Sequence, residues 1–190
     1  MRHFHFDKRF FSNREIKWVS FESHPKLGRT KEDIYGRCLP CIANLYEQLK
    51  EKKEEVDLGQ AYRCWKVVAV VEGVDECIEV LTEFEEQFLG DRLIKGRFGS
   101  GDETKTTKVI VINADNEGER DRLFEELRTC ADKVDPRISV TFHRGCVELY
   151  HEIFGDWRKW KEPSPVVNPA AADDVLKRIR QMLYWEDPSS

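Results

Sequence analysis

The chain has 190 residues, 40% hydrophobic and 35% charged, which excludes collagen-like, mucin-like and wholly disordered polymers and suits one domain with appendages. Its net charge of −5 is uneven: residues 1–66 carry 14 Lys/Arg and 10 Asp/Glu, residues 67–135 carry 9 and 18, and residues 136–190 balance at 8 and 8, so the acidic middle argues against a nucleic-acid surface there. The longest apolar run, Val67 to Val71, is far below the roughly 20 residues that span a bilayer, and the opening MRHFHFDKRFF lacks a signal peptide's apolar stretch, so a soluble, cytoplasmic protein is expected.

In the first 31 residues eight cations face three acids, with Phe4, Phe6, Phe10, Phe11, Trp18 and Phe21 interleaved. That mixture serves single-stranded RNA or DNA binding. It serves equally an amphipathic strand that buries its aromatics, which is the commoner case. His3, His5 and Asp7 fall on one side of such a strand, as metal ligands can, or as an exposed polar edge. Ile16–Phe21 reads as a strand. Thr30 with Asp33 resembles a capping box opening a helix with the stripe Ile34, Cys38, Cys41/Ile42, Leu45 and Leu49. Glu51 to Asp57 is a charged helix end or linker.

Residues 59–160 form the clearest region, a core domain. Trp65–Val71 is β-branched and apolar on both faces, a central strand. Val74, Cys77, Ile78, Leu81, Phe84 and Phe88 then make a helical stripe closed by Gly90. Strands Arg92–Phe98 and Thr107–Asn113 follow, joined by the turn-rich GSGDETKT. Asn116 with Glu119 has capping-box spacing and opens a helix with Leu123, Leu127, Cys130, Ala131 and Val134 on one stripe, stopped at Asp135-Pro136. Ile138, Val140 and Phe142 alternate with polar residues in a fourth strand, and a short helix runs from Cys146 to Phe154.

The order strand, helix, strand, strand, helix, strand predicts an α+β fold of the ferredoxin-like βαββαβ type, an antiparallel sheet with both helices on one face. The valines of both central strands then leave the other face to be covered. Residues 1–58, an N-terminal strand-helix segment packing on the core, are the expected cover, and a second copy of the chain in a homodimer is the alternative. Residues 161–190 are a proline-rich linker followed by a helix over Asp173–Trp185. A helix that short is marginal alone, so it is expected to dock on the body or on a partner.

Six cysteines without an export signal point to reduced thiols. Cys77 and Cys130 lie on apolar stripes. The CLPC at 38–41 resembles the Cys-x-Pro-Cys of thioredoxin-like proteins over these four residues and the helix after them, which implies a low-pKa thiol at a helix start. Such folds also set a cis-proline before a nearby strand, and the only proline so placed is Pro136, far downstream. The favoured reading therefore puts Cys38 and Cys41 on a buried stripe with Pro40 kinking or dividing the helix, since a mid-helix proline costs about 3 kcal/mol.

Three further sets carry candidate chemistry. Cys146 at a strand-to-helix junction, with Arg144 to favour its thiolate and His143 as base, has the make-up of a cysteine nucleophile. Cys38, Cys41, His143 and Cys146 form two pairs of metal-ligand spacing that match a Cys₃His zinc site. Trp157 and Trp160 around Arg158 have the composition of a partner-binding anchor, or of a pin for the C-terminal arm. No catalytic set stands at a recognised spacing, so no cofactor is expected. The expected function is a non-catalytic module binding a protein partner or a small ligand, with a thiol-redox or zinc-dependent protein and a nucleic-acid binder as the other two classes.

Overall fold

The computed structural model describes residues 3–7, 17–24, 34–102 and 104–184, the side chains of 34–39, 148 and 182–184 excepted. The described elements are, in chain order, β1 (His5–Phe6), β2 (Trp18–Glu22), α1 (Ile34–Lys50), β3 (Glu55–Val56), α2 (Gln60–Arg63), β4 (Trp65–Val71), α3 (Val74–Phe84), β5 (Lys95–Gly99), β6 (Lys108–Ala114), α4 (Glu117–Val134), β7 (Ser139–Arg144), α5 (Val147–Phe154), β8 (Ser164–Pro165) and α6 (Pro169–Tyr184). The fold is α+β. It divides into two compact units, one of Met1–Asp33 with Trp65–Phe142 and one of Ile34–Cys64 with His143–Ser190.

In the first unit a six-stranded sheet runs in the order β1-β2-β5-β6-β4-β7. The pairs β1–β2, β2–β5, β5–β6 and β6–β4 are antiparallel. Alternation along β4 and β6 sorts their side chains by face. Val67, Ala69, Ile110, Ile112 and Ala114 are fully buried on one face. The stripes of α3 and α4 close it: Cys77, Leu81, Phe84, Leu123, Leu127 and Cys130 are all without exposure. The Arg120 guanidinium of α4 lies 4.2 Å from the Trp65 ring and 4.7 Å from the Phe142 ring on that side.

Helix ends follow local chemistry. The Asn116 side chain accepts from the Glu119 amide at 2.8 Å, and the Glu119 carboxylate reaches back to the Asp115 amide at 2.7 Å. The expected capping box is therefore present, shifted by one residue at its return bond. After Phe84 the helix widens into one π turn, Glu85–Leu89, and ends at Gly90, whose φ of 50° suits glycine.

The described strands of the N-terminal segment, β1 and β2, stand at the edge of the sheet. They do not lie across its second face; β2 extends the sheet sideways, hydrogen-bonded to β5. The valines on that face are accordingly not sealed: Val68 and Val109 are half-buried and Val70 is 40% exposed, while Val111 in the middle is buried. A branched side chain suits the strand backbone whether or not it is covered, so valine content overstated burial.

The second unit has its own core, in which Leu45, Val56, Leu58, Tyr150, Ile153 and Val175 are almost wholly buried. Helix α6 docks in cis: its Val175 and Ile179 are fully buried and Arg178 pairs with Glu152 of α5 at 2.6 Å. The strand pair β3–β8 ties together two stretches that read as linkers. Helix α1 runs continuously through Pro40, so the proline does not divide it. Burial of Ile42, Leu45 and Leu49 in the next two turns offsets the proline's cost. The expected capping residues Thr30 and Asp33 lie outside the described residues.

Candidate functional site

The register of the strands builds the open face of the first unit row by row. One row runs His5, Glu22, Lys95, Asn113, Lys66, and the next runs Ser20, Arg97, Val111, Val68. A third holds Trp18, Gly99, Val109 and Val70. Valines thus form a low floor, bordered by Lys66, Lys95 and Arg97. The Arg97 guanidinium sits 4.0 Å from the centre of the Trp18 ring, a cation–π pair, and both residues are half-buried. Lys95 faces Glu22 across the strands and pairs with Asp115 at the rim at 3.6 Å. Asn113 donates to the Lys95 carbonyl at 3.4 Å.

Charge is segregated across this sheet. On the open face strands β4 to β6 present Lys66, Lys95 and Arg97 and no acid, while β2 sets Glu22 opposite Lys95; Lys108 and Arg144 fall on the other face by alternation. The π turn and the helices α3 and α4, on the other side, carry twelve acids against four cations. Counting charge element by element would have found this pattern in the sequence; counting it by regions of the chain averaged it away.

The residues singled out by sequence fall elsewhere. Cys38 and Cys41 lie inside α1, four residues or more past its first residue, rather than at a helix start. Cys41 is half-buried against the second core and its carbonyl accepts from the Tyr150 hydroxyl at 3.1 Å; the Cys38 side chain lies outside the described residues. The His143 Nδ1 is 2.7 Å from the Arg144 carbonyl, and the buried Arg144 guanidinium stacks 3.8 Å over the Tyr62 ring. Cys146 caps α5 in the left-handed conformation, with φ of 59°, and it is its carbonyl, not its sulfur, that takes the amides of Leu149 and Tyr150 at 3.1 Å. Gly145 beside it donates to the Cys64 carbonyl at 2.7 Å. A Cβ at Gly145 would stand 2.7 Å from the Cys64 sulfur, so a side chain there would have to displace that of Cys64. Neither Cys64 nor Tyr62 was expected at this junction, because sequence spacing does not show which distant segments touch.

Among the described residues no three His, Cys, Asp or Glu side chains converge as metal ligands. Cys77 and Cys130 are core residues, and burial pushes each thiol up to about 12. Trp160 belongs to the second core, its ring against Tyr150 and Phe154 and its Nε1 donating to the Gly155 carbonyl at 3.1 Å. Trp157 is half-buried and the exposed Arg158 lies over its ring at 4.8 Å. The aromatics of the N-terminal segment are mostly spent on packing: Phe4 and Phe21 are buried, and Phe6 leans on Phe21 and Phe98. Phe10 and Phe11, with all the segment's cations except Lys17, lie outside the described residues. No described helix is long and apolar enough to cross a membrane.

Comparison with protein-family models, with curated proteins and with solved structures finds no match to this chain.

Proposed function

We propose that this chain is a non-catalytic binding module and that the open face of its sheet receives a partner or small ligand. The observation that carries the reading is the segregation of charge: an acidic polypeptide keeps a sheet face whose strands β4–β6 bear Lys66, Lys95 and Arg97 and no acid, set around half-open valines. Half-open valines beside cations give such a face both an apolar floor and charged groups with which to hold a ligand. In the same reading the run from β4 to β7 is a ferredoxin-like unit. Its support is the strand–helix–strand–strand–helix–strand order together with the sheet succession β5-β6-β4-β7. A fold of this kind hosts many functions, so the face, not the fold, bears the argument.

Thermal-shift screening of the full chain tests this, with anionic metabolites, acidic peptides and short oligonucleotides as probes. At least one class should raise the melting temperature of the wild type and of Glu79→Lys on the helical side, and not that of Val70→Glu. A shift that survives Val70→Glu, or no shift with any class, overturns the reading.

A further inference from the structure

Resting on that reading, we infer that the ligand of the open face is a single-stranded nucleic acid. Its phosphates would lie along Lys66, Lys95 and Arg97, and a base would stack on the Trp18–Arg97 pair.

Charge complementarity selects a polyanion first. Lys95 and Arg97 project from the same face of β5 two residues apart, roughly 6.8 Å along the strand, and Lys66 stands at the far end of the Lys95 row. The acids of α3 and α4 are on the other side, so of the sheet's two sides this one is the better suited to an anionic chain, although Glu22 stands opposite Lys95. A second copy of this face is disfavoured, because an isologous contact would set the same cations against each other. An acidic peptide would use the cations but leave the ring without a role. A base uses both, since aromatic rings and guanidinium planes are stacking platforms that tolerate any sequence. Ser20 and Asn113 stand in the rows that hold Arg97 and Lys95, within the same patch, as hydrogen-bonding groups. A duplex is a poor fit, because its bases have no free face to offer a ring on a flat sheet.

Fluorescence anisotropy of the full chain tests the inference, with a labelled mixed-sequence 12-nucleotide single-stranded RNA, its DNA equivalent, the corresponding duplex and polyglutamate as probes. The single strands should bind, and their affinity should fall roughly tenfold when salt rises fourfold, as two or three neutralised phosphates require. Lys66→Gln and Arg97→Gln should each lower the salt slope by about 0.7, whereas Trp18→Leu should weaken binding roughly tenfold and leave the slope unchanged. Glu79→Lys should leave the slope unaltered, and the urea midpoint of every variant checks that it folds. Absence of single-strand binding at low salt, equal affinity for the duplex, or binding indifferent to all three face variants overturns the inference. Polyglutamate binding without RNA binding overturns it too, but leaves the face as a recognition surface. In the thermal screen, no response to any probe or a shift that survives Val70→Glu removes both.

Discussion

On the open face of the sheet, the Arg97 guanidinium lies 4.0 Å from the centre of the Trp18 ring, and the two residues reach each other diagonally across β2 and β5. Their Cα partners are Ser20 for Arg97 and Gly99 for Trp18. Gly99 has no room for a side chain, because a Cβ there would run into the Lys17 carbonyl and come within 3.1 Å of the Trp18 Cα, and its φ of 141° is one that a side chain rarely adopts.

A double-mutant cycle isolates this pair from whatever else each residue touches. Trp18→Leu, Arg97→Met and the double variant, compared by urea denaturation, should give a coupling energy of about 0.5–1 kcal/mol. Additive single effects would show that the stack contributes no stability.

Gly96 occupies the other side of the same strand. A Cβ there would run into the Val111 carbonyl and come within 2.5 Å of the Phe21 ring, which is fully buried. Phe21 and Gly96 are cross-strand partners, the ring covering the position that has no side chain. Gly96→Ala should therefore cost about 1–3 kcal/mol in chemical denaturation. A variant as stable as the wild type would contradict the register of β2 on β5.

The buried thiols predict an alkaline limit for the first unit. Burial pushes Cys77 and Cys130 from 9.0 up to about 12 in the folded chain. Between those values the unfolded thiols have lost protons that the folded ones keep, so stability falls as pH rises from 9 toward 12. Stability of Cys77→Ala and Cys130→Ala should depend less steeply on pH in that range. Both native thiols should resist alkylation at pH 8 until the unit unfolds, as mass-spectrometric mapping of the labelled cysteines would show.

In the second unit Asp57 and Glu162 share a hydrogen bond, and the Gly59 amide donates to both, at 2.8 and 3.1 Å. Gln48 fixes the site by holding the Asp57 backbone at both ends, its Oε1 accepting from the amide at 2.9 Å and its Nε2 donating to the carbonyl at 2.8 Å. The bond to Glu162 lowers Asp57 below 3.8, while burial, and then the bond to Asp57, raise Glu162 above 4.5. Asp57's contribution is present above 3.8 and lost as pH falls through its lowered value. Glu162's is present below 4.5 and lost as pH rises through its raised value, so the pair is most stable holding one proton. Carbon-detected NMR titration should show Glu162 ionising above 4.5, and Asp57→Asn should bring it down. An unmoved Glu162 would refute the shared proton.

What could be read from the sequence divides along a physical line. The strand Trp65–Val71, the stripes of α3 and α4, the Asn116 cap and the burial of Cys77 and Cys130 were all legible, because the period of apolar residues and the chemistry of a helix end are local. Periodicity says that a face is apolar and is silent about what meets it. The tertiary structure alone decided that β2 joins the sheet at β5, that α1 carries Pro40 through an unbroken helix into the second core, and that the linker around Ser164 pairs with Val56. It also decided the candidate site. Lys66, Lys95, Arg97 and Trp18 come from three strands scattered along the chain, and only the hydrogen-bonded register, set by the packing of the opposite face, puts them side by side.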